Sequence, residues 1–156
     1  MGKYEEGLKT IEERCGGGKD VGISLATIAE EPNTGGKPRP YSRDVSAYYE
    51  DGMFYISTNA KSAKMRQIAK NPEVSFSANY EWFSGNGIGE NLGWVKDEKN
   101  AEIRAKMKEN FKWFDEHGGE DSPDSIVLRI TLTSATVIKD HGAVRYNMDF
   151  VNKTAT

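Results

Sequence analysis

The stretch "YSRDVSAYYEDGMFYIST", residues 41–58, restricts the fold more than any other. Two runs of alternating character meet at Glu50-Asp51-Gly52. Alternation with a period of two sends successive side chains to opposite faces of a strand, and an acidic-Gly pair supplies the backbone freedom that a tight antiparallel connection needs. An antiparallel hairpin is therefore expected.

Other segments repeat the signal. "VGISLATIAE" puts Ile23, Leu25 and Thr27 on one face, and the turn-rich "EPNTGGKPRP" ends that strand near Ile28. "EVSFSANYEWF" alternates Val74, Phe76, Ala78 and Tyr80, while "SIVLRITLTSATVI" directs Ile126, Leu128, Ile130 and Leu132 one way. "SGNGIGENLGW" is glycine-dense and reads as a bulged strand, a loop, or both in turn. Helical spacing occurs in three places. Leu8, Ile11 and Cys15 predict an N-terminal helix over about 3–15, closed by Gly16-Gly17-Gly18. Met65, Ile68 and Ala69 mark a helix of about two turns that Pro72 stops. The stripe Ile103, Met107, Phe111, Phe114 predicts the longest helix, over about 98–116, ended by Gly118-Gly119. Hairpin-linked strands with a few flanking helices indicate a mainly β, α+β or small barrel fold, with no alternating parallel pattern. A chain of 156 residues suits one domain, spanning 1–156.

Charge and cysteine usage narrow the function. Lys and Arg total 21 against 24 Asp and Glu, a net charge of -3, which disfavours a dedicated nucleic-acid binder but leaves room for a local basic pocket. The single Cys15 excludes an internal disulfide framework and suits a reducing compartment. No apolar run approaches the roughly 18 residues of a membrane span. The acidic start "MGKYEE" fits neither a signal peptide nor, with Glu6 where Ser or Thr is required, myristoylation. A cytoplasmic protein is expected.

The densest chemistry lies in "STNAKSAKMRQIAKNPEV", residues 57–74. A strand ending in Ser57-Thr58-Asn59 feeds Ser62 and Lys64 at a helix start, where free N–H groups and the helix dipole attract an anion. Ser62 can equally be a plain N-cap and Lys64 a solvated lysine. Arg43 shares a strand face with Val45 and Ala47, and a half-buried arginine wants an anion. That anion is either a phosphate shared with Lys64 or a carboxylate across the sheet.

The order "ISLATI", "PYSRDV", "YYEDGMFYIST", then "TNAKSAKMRQIAKNPEVSF" resembles the FMN-binding split-barrel family of pyridoxamine 5'-phosphate oxidases and their short general-stress-protein relatives. Its most specific part is Thr58, Asn59, Ser62, Lys64, Gln67, Ile68, Asn71, Pro72 and Val74. The match is good over residues 20 to about 80 and looser beyond. It implies a split β-barrel, FMN as cofactor, and an obligate homodimer with its flavin sites at the interface. Carried over residue by residue, Arg43, Asp44 and Val45 would meet the phosphate and ring edge, Ser57 and Thr58 would contact the ring or ribityl region, and Asn59 is a further cofactor-binding candidate. Ser62 and Lys64 would hold the phosphate with Arg43. Trp82 or Phe83 would stack near the ring, unless they are core or dimer contacts. Dimerisation would also cover Tyr48, Tyr49, Tyr55 and Tyr80. Many relatives carry Arg where this chain has Ala63.

The resemblance implies an FMN-dependent oxidoreductase acting on a small molecule. True pyridoxamine 5'-phosphate oxidases carry a C-terminal Arg-x-His signature, and His141 and Arg145 do not have that spacing, so the vitamin oxidase activity is not expected. The competing reading is a stress protein that binds flavin, heme or a deazaflavin without turnover. Two distant histidines and one cysteine suggest no metal site.

Overall fold

A computed structural model describes residues 1–156. Its strands are β1 (Val21–Ile28), β2 (Pro40–Glu50), β3 (Met53–Asn59), β4 (Glu73–Ala78), β5 (Phe83–Trp94), β6 (Ser125–Lys139), β7 (Val144–Asp149) and β8 (Thr154–Ala155). The α-helices are α1 (Lys3–Cys15), α2 (Ala63–Lys70), α3 (Ala101–Asn110) and α4 (Phe114–His117). Antiparallel pairing runs β3-β2-β1-β4-β5-β6, and β3 also pairs with β6, so these strands close into a barrel. β7 and β8 continue the sheet from the other half of β6. This is a split-barrel α+β fold.

The split lies in the hairpin itself. Tyr48, Tyr49 and Glu50 pair with Tyr55, Phe54 and Met53 around the Asp51-Gly52 turn. Beyond them, residues 40–47 of β2 pair only with β1, and residues 56–59 of β3 only with β6. A seam opens toward α2, which caps that end of the barrel. α1 and the β4–β5 turn occupy the opposite end, where Arg14 Nη1 donates to Glu81 O at 2.7 Å and Ile138 O at 2.9 Å.

Inward residues of every barrel strand form the main core, including Ile23, Leu25, Phe54, Ile56, Phe76, Phe83, Leu128 and Ile130. Phe76 sits edge-on to both Phe54 and Phe83 with ring centres 5.0 Å apart. Each buried phenyl contributes roughly 1.5–3 kcal/mol of transfer free energy. Cys15 is fully buried in this core, and burial pushes its thiol up to about 11. A second cluster on the outer face of β3 and β6 joins Tyr48, Tyr55 and Val127 to Met107, Phe111 and Phe114.

Four expectations change here. The helix expected over 98–116 is not continuous. Asp97 caps a 3-10 turn at Glu98–Asn100, α3 ends at Asn110, and Phe111 takes an extended conformation (φ -101°, ψ 99°) before α4. The break lets Trp113 stack on Phe111 at 5.2 Å while Phe111 and Phe114 both stay buried, so the apolar spacing survives without one helix. α1, with 13 residues, is the longest helix instead.

Tyr80 does not extend β4. It is 99% exposed with φ 63°, in the turn that reverses the chain into β5. Tyr48, Tyr49 and Tyr55 are already buried within one protomer, by α3, α4 and the barrel core, so they do not need a partner chain to cover them.

The glycine-dense segment is strand β5, with irregular register at Asn86/Gly87 and Asn91/Trp94. A Cβ on Gly85 would lie 2.1 Å from Ser134 O, so only glycine lets β5 press this closely on β6.

Candidate functional site: an anion pocket at the barrel seam

Arg43 stands opposite Leu25 on β1, and cross-strand partners share a face, so its side chain points into the barrel just beneath α2. Its Nη1 donates to Thr27 Oγ1 at 2.7 Å and, more weakly, to Leu25 O and Tyr41 O at 3.3 Å. Nη2 donates to Gln67 Oε1 at 3.0 Å, and Thr27 Oγ1 donates to the same oxygen. The Tyr41 ring lies 5.0 Å from the guanidinium carbon. All these partners are neutral. Thr27 and Gln67 are buried, so strand β1 and helix α2 hold the guanidinium rigidly in place.

Lys64 lies in the first turn of α2 and is close enough to Arg43 to feel its charge. Burial first, then the Arg43 cation, pulls the Lys64 ammonium below its ordinary range, and burial likewise pulls Arg43 down. Neither residue has a carboxylate partner. Glu30, beside α2, is engaged elsewhere: Gln67 and Arg66 hold its carboxyl below the usual range, with Arg66 Nε 3.3 Å away. The carboxylate alternative for Arg43 is therefore not realised.

Ser62 is not a side-chain cap. It occupies the N-cap position of α2 with extended φ and ψ, yet its hydroxyl makes no capping bond. Its Oγ is buried with no partner at all. A buried hydroxyl left unpaired costs about 1–3 kcal/mol, and Ser62 opens the helix whose first turn carries Lys64 and whose Gln67 holds Arg43. Donor hydroxyl, ammonium, guanidinium and helix dipole together suit a phosphate dianion.

The remaining predicted residues divide by strand parity. Val45 is inward and packs on the core, and Thr58 is inward opposite Ile126, so both border the seam with Arg43. Asp44 faces outward, where Ser24 Oγ donates to its carboxylate at 2.7 Å, so only its backbone lines the seam edge. Ser57 and Asn59 also face outward, opposite Val127 and Ser125. Asn59 Oδ1 accepts from Lys61 N at 2.8 Å and shapes the loop into α2. A depression of about 310 Å³ at this strand end is lined by Ser57, Thr58, Asn59, Trp113, His117 and Ser122.

Trp82 is not brought to this pocket. It lies in the β4–β5 turn at the opposite barrel end, and Phe83 is core. The six residues of β4 alone separate the two ends by about 17 Å. Thr27 and Gln67 were not recognised as pocket residues from sequence. Their signal was present, as a polar residue on the inward stripe of β1 and a glutamine on the buried side of α2.

A split barrel with a cluster of unneutralised basic groups under its capping helix defines a class, and sequence comparison supplies the family. The chain belongs to the pyridoxamine 5'-phosphate oxidase family, whose pattern matches residues 23–139. No curated protein matches its sequence. Among solved structures it is similar to a pyridoxamine 5'-phosphate oxidase-related, FMN-binding protein from Nostoc punctiforme (14% identity, TM-score 0.60, covering 100% of this chain and 95% of that one). It is similar to a FAD-binding protein from Mesorhizobium loti (18% identity, TM-score 0.58, covering 82% and 90%). A heme-binding protein from Mycobacterium smegmatis also matches (16% identity, TM-score 0.66), with 98% of this chain covering 60% of that one. At these identities the likeness is one of fold. No helix is long and apolar enough to cross a membrane.

Proposed function

We propose that this protein binds FMN at the seam and is a cytoplasmic oxidoreductase acting on a small molecule. The observation that carries the reading is the unneutralised pair Arg43 and Lys64 beside the orphaned Ser62 hydroxyl. Ser62, Lys64 and Arg43 hold the 5'-phosphate, with Gln67 and Thr27 orienting Arg43. Val45, Thr58 and the unpaired β2 edge from Asp44 border the flavin. FMN supplies hydride or electron transfer, and the chain supplies binding and orientation. Ala63 leaves this clamp one cation short of many relatives.

Flavin is favoured over heme because the cluster of Arg43, Ser62 and Lys64 suits a phosphate and offers no axial imidazole. His117 borders the depression at the end of β3, and His141 lies in the β6–β7 turn. We also propose a homodimer with the sites at its interface. Light scattering on the flavin-loaded protein should give twice the 17.4 kDa chain mass, and a monomer would rule out interface sites.

Absorbance of the purified protein, followed by titration of FMN and riboflavin into wild type, Arg43→Ala and Lys64→Ala, tests the phosphate assignment. Each substitution should weaken FMN by about one to two decades, and riboflavin, which lacks the phosphate, far less. Equal losses for both ligands would overturn the assignment. Bleaching of the bound flavin by NADH or NADPH separates a reductase from a passive flavin-binding stress protein.

A further inference from the structure

We propose that the cleft between Trp82 and the β6–β7 turn is a second binding site, for a planar aromatic ring carrying a phosphate, as in a mononucleotide. It lies at the barrel end opposite Ser62 and Lys64, and its volume is about 650 Å³. That falls within the range of roughly 300–1,000 Å³ typical of small-molecule sites. Arg14, Trp82, Lys139, Asp140, His141 and Arg145 line it.

Its walls are fixed. Ile138 N donates to Trp82 O at 3.0 Å, and Arg14 ties Glu81 O and Ile138 O together through one guanidinium nitrogen. The Arg14 nitrogens not used in those bonds still carry N–H donors. Arg14, Lys139 and Arg145 have no carboxylate partner, and Asp140 is the one acidic residue in the lining. On a chain of net charge -3 this is a local cationic concentration. Trp82 adds the aromatic half: it is 70% exposed and its indole N–H makes no hydrogen bond in the protomer.

Backbone conformation marks the same place. Trp82 has φ 52°, in the left-handed region where a bulky residue is an outlier, while Asp140 and His141, at φ 50° and 54°, are residue types that adopt it in a tight hairpin turn. Such conformations persist where the surroundings over-determine them and concentrate at ligand sites. An exposed indole face stacks on a base, while Arg145, Lys139 and the free Arg14 donors meet a phosphate.

Calorimetric titration of the full chain, free and saturated with FMN, with AMP, adenosine and inorganic phosphate tests this, using wild type, Trp82→Ala and Arg145→Gln. Trp82 and Arg145 are exposed, so their replacement leaves the fold intact. AMP should bind at least about tenfold more tightly than either fragment, and Trp82→Ala and Arg145→Gln should each weaken it about fivefold or more. Saturation with FMN, which blocks the seam, should leave AMP affinity at the cleft unchanged, because the seam is at the other end. The proposal is overturned if AMP binds no better than phosphate, if both cleft substitutions leave its affinity intact, or if saturation with FMN abolishes it.

Discussion

Arg43 and Gln67 are joined across the barrel mouth, Nη2 of the strand residue donating to Oε1 of the helix residue at 3.0 Å. The helix that presents Ser62 and Lys64 thereby also aims the guanidinium. The guanidinium is therefore fixed relative to the helix start that carries Ser62 and Lys64 before any ligand arrives. Preorganisation of this kind removes ordering cost from binding.

Gln67→Ala breaks that coupling. It removes the shared acceptor of Arg43 and Thr27 in a buried setting, and should destabilise the fold by about 1–3 kcal/mol in a denaturant titration. FMN affinity should fall with riboflavin affinity nearly unchanged, although Gln67 itself carries no charge. An unaltered FMN affinity would show that Arg43 is positioned by Thr27 alone.

Lys64 sets a pH dependence whose sign can be worked out. Its folded pKa is depressed by burial and by Arg43, so between that value and the ordinary lysine value the unfolded chain holds more protons. Stability of the unliganded protein therefore rises with pH through that window. A phosphate dianion favours the charged ammonium and reverses the preference. FMN affinity should decline as pH rises through the depressed Lys64 pKa, with riboflavin, titrated in parallel, reporting the ring's own ionisation. Lys64→Met should flatten the difference between the two ligands, and a difference that persists would assign the effect to another group.

Gly85→Ala should destabilise the barrel by about 1–3 kcal/mol, read as a lowered denaturation midpoint with an unchanged slope. The added methyl meets Ser134 O and the Ala135 backbone, and neither can swing aside as a side-chain tip would. A neutral result would mean that β5 and β6 separate at the adjacent bulge without loss of pairing.

Much of this was legible in the sequence because strand parity is a strong signal. Ile126, Leu128, Ile130 and Leu132 all reach the core, and the hairpin turns at Asp51-Gly52. The Ser62–Lys64 helix start was legible because hydroxyl and ammonium fall within three residues. What failed was anything decided by long-range packing. The 3.6-residue spacing of Met107, Phe111 and Phe114 is satisfied equally by one helix or by two segments broken at Phe111, and the stacked Trp113 ring selects the second. Tyr80 and Trp82 continue an alternating pattern, yet their positive φ angles place them in a turn that no local propensity for aromatics would suggest. Trp82 follows the motif strand directly, and traversing that strand carries it to the far end of the barrel within one protomer.

The three-rung hairpin acts as a hinge pin. Below it the cylinder is laced shut around its phenylalanines; above it the two strand edges stand apart like the jaws of a clamp, each anchored to a different neighbour. Whatever lodges between the jaws pulls on β1 through one and β6 through the other. Occupancy should therefore be felt as mechanical tension around the whole circumference, and amide exchange in β1 and β6, strands outside the split itself, should slow when the pocket fills.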